Sequence, residues 1–124
     1  EILDFLSMDW AKDYTAQNLS YGDQRKLEIA IALSARPKLL LLDEPAAGLN
    51  PEETNGLMEV IKKIQERGIT ILVVEHHMKL VMRICERIVV LNYGKKIAEG
   101  TPAQIQNHEE VIKVYLGEEV EEQT

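Results

Sequence analysis

The chain has 124 residues, 45% of them apolar and 28% charged, with a formal net charge of −7. That length allows one domain or a piece of one, and the apolar share suits a globular core; the acidity argues against a nucleic-acid-binding surface, which needs a basic patch. A single cysteine, Cys85, excludes a disulfide framework or a cysteine-built metal site and fits a reducing compartment, and apolar runs of four or five residues are too short to span a membrane.

The opening residues carry no secretory signal, and Glu1-Ile2-Leu3 starts inside an apolar pattern, as a piece of a longer protein would. Ile2, Leu3, Phe5, Leu6 and Met8 recur at helical spacing, so residues 1–14 read as the end of a helical segment. Ser20 is a good N-cap for a helix whose apolar positions (Leu27, Ala30, Ile31, Leu33) continue to Arg36-Pro37. Leu39-Leu40-Leu41-Leu42 lies between Pro37 and Pro45, too close together for a helix. The run reads as a strand buried on both faces of a parallel sheet and ending in Asp43-Glu44.

Asn50-Pro51-Glu52-Glu53 predicts a strong helix start, with Asn50 as cap, Pro51 at the first helical position and Glu53 closing a capping box. Leu57, Val60, Ile61 and Ile64 form its apolar stripe and Gly68 ends it. Ile69–Val74 reads as a second buried strand ending at Glu75-His76-His77. A helix carrying Leu80, Val81, Ile84 and Cys85 follows. Ile88–Leu91 is a third strand, and Asn92-Tyr93-Gly94-Lys95 turns it into an antiparallel hairpin with Lys96-Ile97-Ala98. Thr101-Pro102 starts a short helix, Val111–Leu116 forms another, and Glu118, Glu119, Glu121 and Glu122 crowd a terminal tail expected to be solvated. Strands alternating with helices point to an α/β fold around a mostly parallel sheet.

Chemistry concentrates at strand and helix ends. In a parallel sheet Asp43-Glu44 and His76 would emerge on one edge, where open α/β sheets bind ligands. Carboxylates with an imidazole suit Mg²⁺ and phosphate, since Mg²⁺ takes one or two protein carboxylates and completes its shell with water and phosphate oxygens. His77 is adjacent to His76 rather than a helical turn away, which argues against zinc. Ser20-Tyr21-Gly22 at a helix start offers backbone N–H groups and a positive dipole end to an anion, and Gly22 would let a phosphate approach the backbone. Each feature alone has a plain structural explanation: a polar strand end, or an N-cap.

Their order resembles the second half of the nucleotide-binding domain of ATP-binding-cassette ATPases. Leu19–Gln24 is similar to the signature motif, Leu39–Glu44 to Walker B, Ala47–Asn50 to the D-loop, and His76 to the switch histidine. Tyr21 stands where glycine is commoner and Asn50 where aspartate is. Both resemble the ATPases of branched-chain amino acid importers, as do Asp43–Pro51, Val74–Met82 and Val114–Glu118.

The resemblance implies the C-terminal portion of a P-loop NTPase (RecA-like) core: a mostly parallel sheet with flanking helices and a small antiparallel hairpin. Residues 1–18 would end the helical subdomain, 19–116 belong to the ATPase core and 117–124 form an acidic, disordered tail. It further implies ATP and Mg²⁺ as ligands, with Asp43 holding the metal, Glu44 as general base and His76 at the γ-phosphate. Ser20, Tyr21, Gly22, Asp23 and Gln24 would meet the nucleotide of a second, head-to-tail nucleotide-binding subunit (identical or homologous), and Asn50 would link the two sites. Permease subunits, a substrate-binding protein further off and a peripheral place on the cytoplasmic face of the cell membrane complete the implied picture, with no nucleic acid.

A lipid or lipopolysaccharide exporter ATPase and a non-catalytic pairing partner are the alternatives. No Gly-x-x-x-x-Gly-Lys-Ser/Thr occurs in the 124 residues, so the chain alone is expected to be inactive. The strand that enters that loop would lie between the 69–75 and 87–92 strands. Without it those two would pair directly, accept another chain or leave the fragment partly unfolded, while the first two strands stay neighbours.

Overall fold

A computed structural model describes residues 1–116, so the expected acidic tail lies outside the described residues. The chain divides into two compact units, Glu1–Glu75 and His76 onward.

The first unit runs α1 (Ile2–Phe5), α2 (Tyr21–Leu33), β1 (Leu39–Asp43), α3 (Pro51–Glu66) and β2 (Thr70–Val74). Residues 1–14 are not one helix. α1 is a single turn, Ser7 adopts a left-handed φ of +58°, and a 3₁₀ turn follows at Asp9–Ala11. So short a helix gains little from its own hydrogen bonds, and buried Leu6 and Met8 anchor the segment instead.

α2 and α3 form where the sequence places them. Ser20 Oγ accepts the Asp23 N–H at 3.2 Å, and Arg36 at φ +52° turns the chain away before Pro37. Asn50 Oδ1 accepts from Glu53 N at 2.8 Å while Glu53 Oε1 accepts from Asn50 N at 3.2 Å, a complete capping box. Gly68, at φ +87°, takes the left-handed conformation that ends α3. Leu57, Met58, Val60, Ile61 and Ile64 form the buried stripe of α3.

β1 and β2 are parallel, from Leu39 beside Thr70 to Asp43 beside Val74, joined by the α3 crossover. One expectation fails here. Leu39, Leu41 and Asp43 share a face with Thr70, Leu72 and Val74, and all six are exposed. Burial is confined to the other face, where Leu40 is buried and Leu42, Ile71 and Val73 are half-buried. A parallel sheet is dry only with a layer on each side, and the helices of this unit cover one.

The second unit contains α4 (Met78–Ile84), β3 (Ile88–Asn92), β4 (Lys95–Gly100), α5 (Pro102–Gln106) and α6 (Glu109–Val111), which continues into a π-helical turn at Ile112–Leu116. Tyr93 and Gly94, at φ +47° and +76°, make the tight hairpin turn. The β3–β4 register slips between Val90 and Leu91, a β-bulge. Thr101 and Gln104 close a capping box on α5. Val81, Ile88, Val90, Ala98, Ile105 and Val111 form a single buried core.

Among the described residues β2 pairs with β1 and β3 with β4, in two separate two-stranded sheets. Direct pairing of the 69–75 and 87–92 strands is not formed. No helix among the described residues is long and apolar enough to cross a membrane.

Candidate functional site

The first unit gathers a strand end and two helix starts. Asp43 is the last residue of β1, exposed and level with Val74. Glu44 leaves the strand at φ +45°, a left-handed conformation that costs a non-glycine residue about 1–2 kcal/mol. Its N–H donates to Val74 O at 2.7 Å, which fixes this turn against β2.

The residue just after β2 holds the loop that follows Glu44. Glu75 Oε2 accepts the Ala46 N–H at 3.2 Å, tying the buried Pro45-Ala46 step to the end of β2. The sequence had marked Glu75 only as a neighbour of His76. A carboxylate directly after an apolar strand was a hint of a role, but its partner lies 29 residues away in sequence.

At the start of α2, Ser20 Oγ both accepts from Asp23 N and donates to Asp23 Oδ2, at 2.9 Å. Gln24 reaches back to the carbonyls of Ala16 and Leu19 at 3.1 and 3.2 Å, pinning the turn that precedes the helix. Tyr21 is half exposed, with the Arg25 guanidinium carbon 5.4 Å from its ring centroid. Gly22 is buried rather than open. A Cβ there would collide with Glu53 Oε2 and lie 3.1 Å from Glu53 Cδ, so a side chain of α3 fills the space that a side chain at 22 would need. Asn50 is exposed, its side chain engaged in capping α3.

A cavity of about 190 Å³ lies beside this edge, lined among others by Arg25, Glu28, Leu41, Asp43 and Pro45. Arg25 bonds Glu28 at 3.3 Å, and its Nε is buried without a hydrogen-bond partner. A larger cavity, about 260 Å³, sits at the other end of the strands around Phe5, Pro37 and Ile69, away from these carboxylates.

In the second unit His76 is exposed and one residue ahead of the α4 cap. That cap is His77, whose Nδ1 accepts the Leu80 N–H at 3.2 Å, a structural task the sequence reading missed because imidazole is not a common N-cap. Cys85 is half-buried against the core, and burial pushes its thiol pKa up. Among the described residues no three His, Cys, Asp or Glu side chains cluster as a metal-binding group.

Known proteins are similar to most of the chain. Residues 95–121 match a family described as branched-chain amino acid ATP-binding cassette transporter, and residues 2–82 match a family described as AAA domain, putative AbiEii toxin, Type IV TA system. The high-affinity branched-chain amino acid transport ATP-binding protein BraF of Pseudomonas aeruginosa is 54% identical over 105 residues, 84% of this chain and 41% of that protein. The lipopolysaccharide export system ATP-binding protein LptB of Haemophilus influenzae is 40% identical over 119 residues, 96% of this chain and 49% of that one. The crystal structure of MJ1267 in its ADP conformation, an ATP-binding cassette of an ABC transporter, superposes with a TM-score of 0.85 at 31% identity, covering 94% of this chain and 47% of that one. The chain thus spans less than half the length of the proteins it matches.

Proposed function

The chain belongs to the ATP-binding-cassette ATPases, and we propose that it is the C-terminal part of a nucleotide-binding subunit that drives import of branched-chain amino acids. The observation that carries this reading is the 54% identity to BraF, against 40% to LptB.

In this reading Asp43, a carboxylate exposed at a strand end, would hold Mg²⁺. Glu44 accepts the proton of the attacking water at its carboxylate, and His76 orients the reacting group through its imidazole. Bound Mg²⁺–ATP supplies the phosphoryl group and the charge neutralisation its transfer needs. Ser20, Tyr21, Gly22, Asp23 and Gln24, with Asn50, form the surface that meets the nucleotide of a second subunit. The phosphate-cradling loop is contributed from outside these 124 residues. Permease subunits hold the assembly at the cytoplasmic face of the membrane, and a substrate-binding protein delivers the amino acid.

The test uses the full-length protein with its permeases. Glu44→Gln should keep ATP binding, accumulate an ATP-bound dimer and lower turnover by about 10²–10⁴; undiminished hydrolysis would reject Glu44 as the base. Uptake of radiolabelled leucine by reconstituted vesicles tests the cargo. The second reading, an exporter of lipopolysaccharide, is favoured by the longer stretch of this chain that LptB matches, and lipopolysaccharide release without leucine uptake would select it.

A further inference from the structure

α2 and α3 begin side by side, and each start has a glycine that receives a side chain of the other. Gly22, buried in the first turn of α2, receives Glu53: a Cβ at 22 would strike Oε2 and lie 3.1 Å from both Cγ and Cδ. Gly48, in the loop before α3 and at φ +77°, receives Tyr21: a Cβ at 48 would lie 3.0 Å from Cε1 and 3.5 Å from Cζ and Oη. Further along, a Cβ at Gly56 would lie 3.6 Å from Lys26 Nζ, so the two helices stay close past their first turns.

Glu53 is the member of this set with two attachments. One carboxylate oxygen, Oε1, accepts from Asn50 N at 3.2 Å, and the other, Oε2, faces Gly22. Its own N–H is held by Asn50 Oδ1 at 2.8 Å. The side chain is thereby fixed from the Asn50 side and seated against α2 at its far end.

We propose that Glu53 is a positioning residue that keeps Ser20–Gly22 and Asn50 in one fixed relation, so that the two segments reach a partner subunit's nucleotide as a unit. The inference rests on the reading above that both segments face that nucleotide. It goes beyond that reading in assigning a function to Glu53, which the reading leaves without one. What matters is reach: the Glu53 side chain is long enough to cap Asn50 and still fill the space above Gly22. A misplacement of about 1 Å can cost on the order of 10² in rate even when it originates away from the chemistry.

The test is steady-state hydrolysis by the full-length assembly carrying Glu53→Asp or Glu53→Gln, with Glu44→Gln as control. Glu53→Asp keeps the charge and withdraws the carboxylate by one methylene; Glu53→Gln keeps the reach and removes the charge. The expected result is a kcat lowered about tenfold or more by Glu53→Asp with KM for ATP unchanged, and near-normal kcat in Glu53→Gln. Thermal melts of both variants separate this from loss of fold. A normal kcat in Glu53→Asp, or an equal loss in Glu53→Gln, would overturn the proposal. If Glu44→Gln also hydrolyses ATP normally, the fault lies in the catalytic assignment; if Glu44→Gln is inert and Glu53→Asp normal, it lies with Glu53 alone.

Discussion

β3–β4 and β1–β2 are both two-stranded, yet they meet water differently. The hairpin turns one face to a closed core whose helical members lie close to it in sequence, Val81 just before it and Ile105 and Val111 just after. Its outer face mixes Val89 and Leu91 with the ion cluster in which Arg87 and Lys96 bond Glu99 at 2.8 and 2.9 Å. The parallel pair instead exposes Leu39, Leu41, Leu72 and Val74 together, with only Asp43 and Thr70 to break the apolar surface. An antiparallel hairpin can be finished by its sequence neighbours, because one of its faces tolerates solvent. A parallel pair joined by a crossover needs layers on both faces, and here the second layer is not supplied.

Three measurements sharpen this contrast. The largest effect is expected for Ile64→Ala, since Ile64 is fully buried on the covered side of the first unit; urea melts should show a loss of about 2–5 kcal/mol. A loss no greater than that of a surface change would mean that the covered side is not a packed core. Leu72→Thr on the open face should alter the same melts by no more than about 0.5 kcal/mol. If it costs as much as Ile64→Ala in the 124-residue chain, the face is covered in solution and the contrast fails.

The smallest effect concerns Glu99. Hydrogen bonds from Lys96 and Arg87 hold its carboxyl below the usual carboxylate range. A lowered folded-state pKa favours the native state above the unfolded value, about 4.3, and that contribution is lost as pH falls through the lowered one. Glu99 is exposed, so salt screens the effect. Acid titration of stability should be slightly steeper for the native chain than for Glu99→Gln, and the difference should shrink at high salt; an equal slope in low salt would discount the cluster.

What the sequence disclosed well was local. The Ser20 cap, the Asn50–Glu53 capping box, the helix start at Thr101-Pro102 and the Tyr93–Gly94 turn are each settled within four residues, so spacing alone carries them. The strand pairing of 39–43 with 70–74 was also legible, because a well-capped helix of suitable length joins two apolar runs. Burial of those strands was not, since it depends on what packs on each face, which residues distant in sequence decide. Nor were the tie from Glu75 to Ala46, the fit of Glu53 over Gly22 or the reversal at Glu44. These depend on distances between segments that only the folded chain brings together. The short turns of residues 1–14 show the opposite error: helical spacing was present, but anchoring by Leu6 and Met8 decided the conformation.

The reversal at Glu44 sets conformation and chemistry against one another. A left-handed φ is easiest for glycine and then for asparagine, so a screen that rewarded thermal endurance alone would drift toward either at this position. Both would discard the carboxylate on which the proposed water activation depends. Stabilising libraries built on this chain should therefore hold position 44 constant: the gain there would be a more robust protein with nothing left to do.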